Sequence, residues 1–116
     1  MNPRKSLAFL TAFALMAGAS ATQAQSVEAG QKIFRQRCMS CHGLGAMAAY
    51  SPGPALAGVF NRPIASLQAY EYSDGLKKVR AAWTADRLDA WLKDPAAFAP
   101  GAAMPQALPD AQERAD

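Results

Sequence analysis

Cys38-Met39-Ser40-Cys41-His42 is the stretch on which the reading of the whole chain turns. Two thiols stand three positions apart and an imidazole follows at once. On a helical turn such thiols project from one face, where they can add to the two vinyl groups of a haem. His42, the next residue, can then reach the iron, for which neutral imidazole is a good ligand. The two thioether bonds would keep that ligand in place through changes of redox state. A zinc site would need two further ligands, and the chain has no other Cys or His. A redox dithiol needs no adjacent His and usually opens the helix of a larger βαβ unit, for which no pattern is present. The motif therefore predicts one haem, covalently bound through Cys38 and Cys41, with His42 as an iron ligand.

Upstream of the motif, Val27, Gly30, Ile33, Phe34 and Cys38 recur at helical spacing, and Lys32, Arg35, Gln36 and Arg37 lie mostly elsewhere on the wheel. Ser26 suits the N-cap and Glu28 the first turn. The pattern predicts an amphipathic helix over residues 26–40 that delivers the motif at its end. Gly30, without a side chain, would let another helix cross closely, and Phe34 reads as core.

Downstream, residues 43–61 hold Gly43, Gly45, Pro52, Gly53, Pro54 and Gly58, which predicts an irregular, compact loop without a regular element. Short helices are expected over 73–80 and, with Thr84 as N-cap and Asp86 in the first turn, over 85–93. In the second, Leu88, Trp91 and Leu92 share a face, and Pro95 ends it. Residues 94–109, with Pro95, Pro100, Gly101, Pro105 and Pro109, read as another loop with Met104 at its middle. Asp110 and Glu113 have the spacing of a helix start, and the sequence stops three residues later. There are no repeats, no strand-like alternation and no low-complexity linker. The fold class is all-α: short helices and Gly/Pro-rich loops wrapped around one covalently bound haem.

A length of 116 residues allows one domain at most. Arg4 and Lys5 open the chain, an apolar run follows over residues 7–17, and Thr22-Gln23-Ala24 offers small residues at cleavage positions. Residues 1–24 thus read as a secretory signal peptide, and residues 25–116 as the working domain. The apolar run is too short to span a bilayer comfortably, so no stable membrane insertion is expected after cleavage. Removing the leader lowers the formal charge from +3 to +1, because Arg4 and Lys5 leave with it. No basic stripe remains to track phosphates, which excludes a nucleic-acid partner. A remainder of about 92 residues is small for a self-sufficient core, and a haem would supply the apolar centre. Both cysteines belong to the motif, so no disulfide is left to form, and export to an oxidising compartment, the periplasm, fits.

Several further motifs follow in order: Gly30-Gln31-Lys32-Ile33-Phe34, Gly53-Pro54-Ala55-Leu56-Ala57-Gly58-Val59-Phe60-Asn61-Arg62, Tyr72-Ser73-Asp74-Gly75-Leu76-Lys77, Trp83-Thr84, Trp91-Leu92-Lys93-Asp94-Pro95 and Pro100-Gly101-Ala102-Ala103-Met104. In this order the chain resembles a class I c-type cytochrome, a single-haem protein of the cytochrome c and c2 line, over residues 27–116. The resemblance implies a small cytochrome c-like fold and makes Met104 the second axial ligand, its soft thioether favouring ferrous iron. Met47 lies too close to His42 to reach the opposite side of the ring, and Met39 and Met47 are expected to be core filler. Pro54 matches the proline whose carbonyl accepts the proximal imidazole N–H. Arg62, Tyr72 and Trp83 match groups that hydrogen-bond a buried haem propionate.

Departures from the family pattern also carry expectations. Trp91 stands where the family usually has a tyrosine, and Ala102-Ala103 where it has Thr-Lys, so the resemblance implies a weaker iron–sulfur bond. The helix that in the family crosses over Gly30 and Phe34 is expected to be missing beyond Asp116, leaving Phe34 without its principal partner. The implied activity is non-enzymatic: a periplasmic monohaem electron carrier, likewise monomeric, passing one electron between respiratory or photosynthetic partners. These would be membrane complexes, dehydrogenases or terminal oxidases and reductases, docking on local patches such as Lys77, Lys78 and Lys93. The rival readings are an open-site haem protein with weak peroxidase-like activity, for which no distal His is present, and a truncated, non-functional fragment.

Overall fold

The computed structural model describes residues 24–116; the leader read over residues 1–24 lies outside them apart from Ala24. The first helix, α1 (Val27–Arg37), starts as its sequence dictates: the Ser26 hydroxyl accepts the Ala29 N–H at 3.1 Å, Glu28 sits in the first turn and Arg35 and Arg37 in the last. It ends sooner than the periodicity predicts. Cys38 and Met39 both donate to the Phe34 carbonyl at 2.9 Å, and Cys41 and His42 then donate to the Cys38 carbonyl at 3.0 and 2.9 Å. The haem motif therefore occupies tight turns at the end of α1.

Residues 43–61 are not wholly irregular. Gly45–Tyr50 forms a 3-10 segment, which the density of Gly and Pro around it concealed. Ser51 holds it, its hydroxyl accepting the Gly43 N–H and donating to the Met47 carbonyl, both at 2.9 Å. Backbone bonds then tie this half to the next: Asn61 N–H to the Trp83 carbonyl at 2.8 Å, Trp83 N–H to Arg62 and Ile64 N–H to Ala81, both at 2.9 Å. An isolated bridge between Pro63 and Ala82 is the only strand-like pairing among the described residues.

Two short helices follow. Ser73 caps α2 (Asp74–Lys77), which is shorter than expected, and Thr84 caps α3 (Ala85–Lys93) at the predicted bounds. Pro95 does more than end α3. The Asp94 side chain accepts the Ala97 N–H at 3.0 Å and Pro95 takes the first position of α4 (Pro95–Phe98), where its missing N–H costs nothing. The helix start expected at Asp110 opens α5 (Ala111–Ala115), with Asp110 accepting the Glu113 N–H at 2.9 Å. The crossing over Gly30 is made there. A Cβ on Gly30 would collide with the Asp116 carbonyl, and the Asp116 carboxylate accepts the Ser26 N–H at 2.8 Å. Phe34 is half-buried and lines an open groove of about 610 Å³ with Leu44, Leu56 and Asp116.

The fold is all-α, and its core is one-sided. Ile64, Tyr72, Leu76, Trp83, Trp91 and Ala99 form the buried cluster. Trp83 stacks on Phe98 with centroids 5.7 Å apart, and Trp91 lies 5.8 Å from each of these rings. No residue from 24 to 63 is buried.

Candidate haem site

His42 is held from its outer side. Its Nδ1 lies 2.8 Å from the Pro54 carbonyl, which can only accept, so Nδ1 bears the proton and the lone pair of Nε2 is free for a metal. Gly53 makes this contact possible. Its N–H donates to the Cys41 carbonyl at 2.7 Å, and a Cβ there would lie 2.7 Å from Cε1 and 2.8 Å from Nδ1 of the imidazole. The Tyr70 hydroxyl donates to the Pro52 carbonyl at 3.2 Å and ties the same loop to the second half of the chain. Cys38 is half-buried and Cys41 exposed, and the two do not form a disulfide. Burial pushes the Cys38 thiol up, opposed by the Arg37 charge, so in the haem-free chain it is protonated at neutral pH.

Arg62 spends its two terminal nitrogens on the protein, Nη1 on the Ala57 carbonyl at 3.1 Å and Nη2 on the Ala55 carbonyl at 3.0 Å. Its Nε is buried with no partner. Tyr72 and Trp83 are buried in the core cluster, and neither polar tip has a hydrogen-bond partner among the described residues. A buried donor without an acceptor is costly, so Arg62 Nε leaves room for an acceptor oxygen. The residues present fit a haem: two thiols, a held imidazole, uncommitted donors and an under-filled apolar side. Met104 is half-buried against the aromatic cluster. Met39 and Met47, expected in the core, are instead 45% and 65% exposed, because one sits on a turn after α1 and the other on the 3-10 segment. Among the described residues no group of three or more His, Cys, Asp or Glu could hold a bare metal ion.

The Cytochrome c family model matches residues 27–116. The chain belongs to the cytochrome c family. Its similarity extends to cytochrome c2 of Blastochloris viridis, 34% identical over 92 residues, covering 79% of this chain and 72% of that one. Cytochrome c type-1 of Ascaris suum is 37% identical over 90 residues, 77% of this chain and 80% of its own length. Cytochrome c of Guizotia abyssinica is 34% identical over 94 residues, 80% and 85% of the two chains. As a class I c-type cytochrome, the protein carries one haem c, covalently bound through Cys38 and Cys41.

Within this cytochrome, sequence reasoning missed Gly53, Ser51 and Tyr70 as groups that shape the site. Gly53 could have been found, since a glycine before the matched Pro54 marks close approach of backbone and ring. Ser51 and Tyr70 act across 8 and 18 residues and leave no local pattern. The docking lysines are also redistributed. Lys77 is already engaged, with Nζ 2.7 Å from Glu71 Oε1 and 3.2 Å from Asp74 Oδ1; its hydrogen bond to Glu71, then that to Asp74, pushes its pKa up. Lys78 and Lys93 are exposed and make no ion pair among the described residues.

Proposed function

We propose that this cytochrome is an exported, periplasmic electron carrier whose working domain is residues 25–116, with the iron held between His42 and Met104. The haem supplies a one-electron ferric/ferrous couple when bound. The chain's own residues do the rest. His42, its tautomer set by Pro54, would offer Nε2 to the iron, and the Met104 thioether, a soft ligand, would favour the ferrous state. Arg62 Nε, the Tyr72 hydroxyl and the Trp83 indole N–H would serve as donors to a propionate, compensating a carboxylate taken out of water. The reading is supported above all by the 2.8 Å contact between His42 and Pro54, which leaves the imidazole with one nitrogen and one task.

Among the described residues no helix is long and apolar enough to cross a membrane. A net charge of only +1 after removal of the leader gives little long-range steering. Redox partners, whether membrane complexes, dehydrogenases or terminal oxidases, then meet a monomer through short-range contacts, with Lys78 and Lys93 as the two of the three expected docking lysines that make no ion pair among the described residues.

The test is the absorption spectrum of the chain expressed in a periplasm with haem-attachment machinery, in both redox states, beside Met104→Ala. A low-spin spectrum with a ferric iron–thioether band that the substitution removes is the expected result. A high-spin spectrum indifferent to the substitution would overturn the His42/Met104 pairing.

A further inference from the structure

From Ala103 to Ala107 no backbone group hydrogen-bonds to another backbone group among the described residues. Beyond the packing of Met104 on the aromatic cluster, the backbone of this stretch is held at its two ends. At the near end, Ala102 donates to the Ala99 carbonyl at 2.9 Å, and Pro100 sits so closely on Gly75 that a Cβ there would collide with its carbonyl. The far end is held by α3 and α5. Leu108, 3% exposed, donates its N–H to the Leu92 carbonyl at 2.7 Å. The Arg114 guanidinium then takes the next two carbonyls, with Nη1 2.9 Å from Leu108 O and 2.7 Å from Pro109 O. Its Nε donates to Asp89 Oδ1 at 2.7 Å, and its side chain is only 7% exposed.

We propose that Arg114, aimed by Asp89, is a positioning residue for Met104. It closes the far end of the loop and so keeps the thioether at high effective concentration at the iron. The proposal rests on the Met104 ligation reading above. A neutral thioether is a weak ligand whose binding depends on being held in place, and a segment without backbone–backbone hydrogen bonds, its one internal contact being Gln106 Nε2 on the Ala107 carbonyl at 2.9 Å, gains conformations as soon as one end is freed. The planar fork matters because one group must engage two carbonyls and a carboxylate in fixed directions, which a lysine ammonium on a flexible stem does not reproduce. Asp89 contributes the direction: without its charge the guanidinium keeps its carbonyls, but the bond from Nε that sets its orientation is weakened.

The test uses ferric holoprotein and free imidazole as a competitor for the Met104 position, reading loss of the iron–thioether band. Arg114→Lys is expected to lower the imidazole concentration at half-displacement about tenfold, the scale of one charge-assisted hydrogen bond. Asp89→Asn should lower it about threefold, and the double variant should fall no further than Arg114→Lys alone, because the two residues act through one contact. Asp86→Asn, a charge change on the same helix at a residue that forms no ion pair with Arg114 among the described residues, should leave it unmoved. If both Arg114→Lys and Asp89→Asn stay within twofold of the parent, even with lowered thermal stability, Arg114 is structural only and the proposal is wrong. Should Arg114→Lys fail to assemble, Asp89→Asn, a near-isosteric change at a half-exposed position, decides by the same criterion. Met104→Ala separates the two claims: a band that survives it removes the ligation reading, whereas a band lost with it and an unmoved midpoint in the tether variants removes only the role of Arg114.

Discussion

Between Val27 and Arg62 no side chain is buried, whereas Ile64, Tyr72, Leu76, Trp83, Trp91, Ala99 and Leu108 are all buried in the second half. The first region holds the haem attachment motif and is ordered by hydrogen bonds: the Ser26 cap, the two Ser51 contacts, His42 on Pro54, and Arg62 on Ala55 and Ala57. Leu44, Met47 and Tyr50 there are 58%, 65% and 85% exposed. The second region packs its aromatics on one another. Net hydrogen bonding contributes little per bond, and burial of apolar surface is the larger driving force. The comparison teaches that the haem-binding half lacks a core of its own and depends on the prosthetic group, while the other half is the platform against which that group is set.

Loss of the haem is the largest expected perturbation. Replacing Cys38 and Cys41 by Ser should leave the amides of α1 and of residues 43–61 exchanging as in an unfolded chain, while those of α3 keep measurable protection in hydrogen exchange read by mass spectrometry. Equal loss in both regions would break the comparison. Next in size is Trp91→Ala, which removes the ring in contact with Trp83 and Phe98 and should cost the holoprotein about 3–5 kcal/mol in denaturant unfolding. A cost below about 1 kcal/mol would mean that the platform is not the stable half. Gly53→Ala should cost less, about 1–3 kcal/mol by overpacking, because the new Cβ presses on the His42 imidazole and the Cys41 carbonyl. It sharpens the comparison by striking the first region where backbone and ligand touch. An unchanged unfolding midpoint and an unchanged haem spectrum would show that this contact gives way freely.

Local chemistry was readable where one residue acts on its immediate neighbours. The Ser26 and Thr84 caps, the bounds of α3 and the turn that presents Cys38, Cys41 and His42 follow from side chains meeting backbone groups a few positions away. Reading failed where composition was averaged over a long window. The six residues Gly45–Tyr50 and the turn of α4 vanished among surrounding glycines and prolines, although Pro95 is well suited to open a helix. Charge reading also failed locally, since the sequence shows Lys77 but not that Glu71 and Asp74 already hold it.

The order of motifs from Gly30 to Met104 was sufficient to establish the all-α class, the covalent haem and the family, because thiol spacing and helix caps are encoded within a few residues of chain. Only the tertiary structure decided that Gly53 clears room for His42, that Arg62 keeps one buried nitrogen uncommitted, and that Arg114 reaches Asp89 and the end of the Met104 loop. Those relations join residues far apart in sequence. Their geometry is set by packing and by satisfying buried polar groups, neither of which leaves a period or a spacing to read.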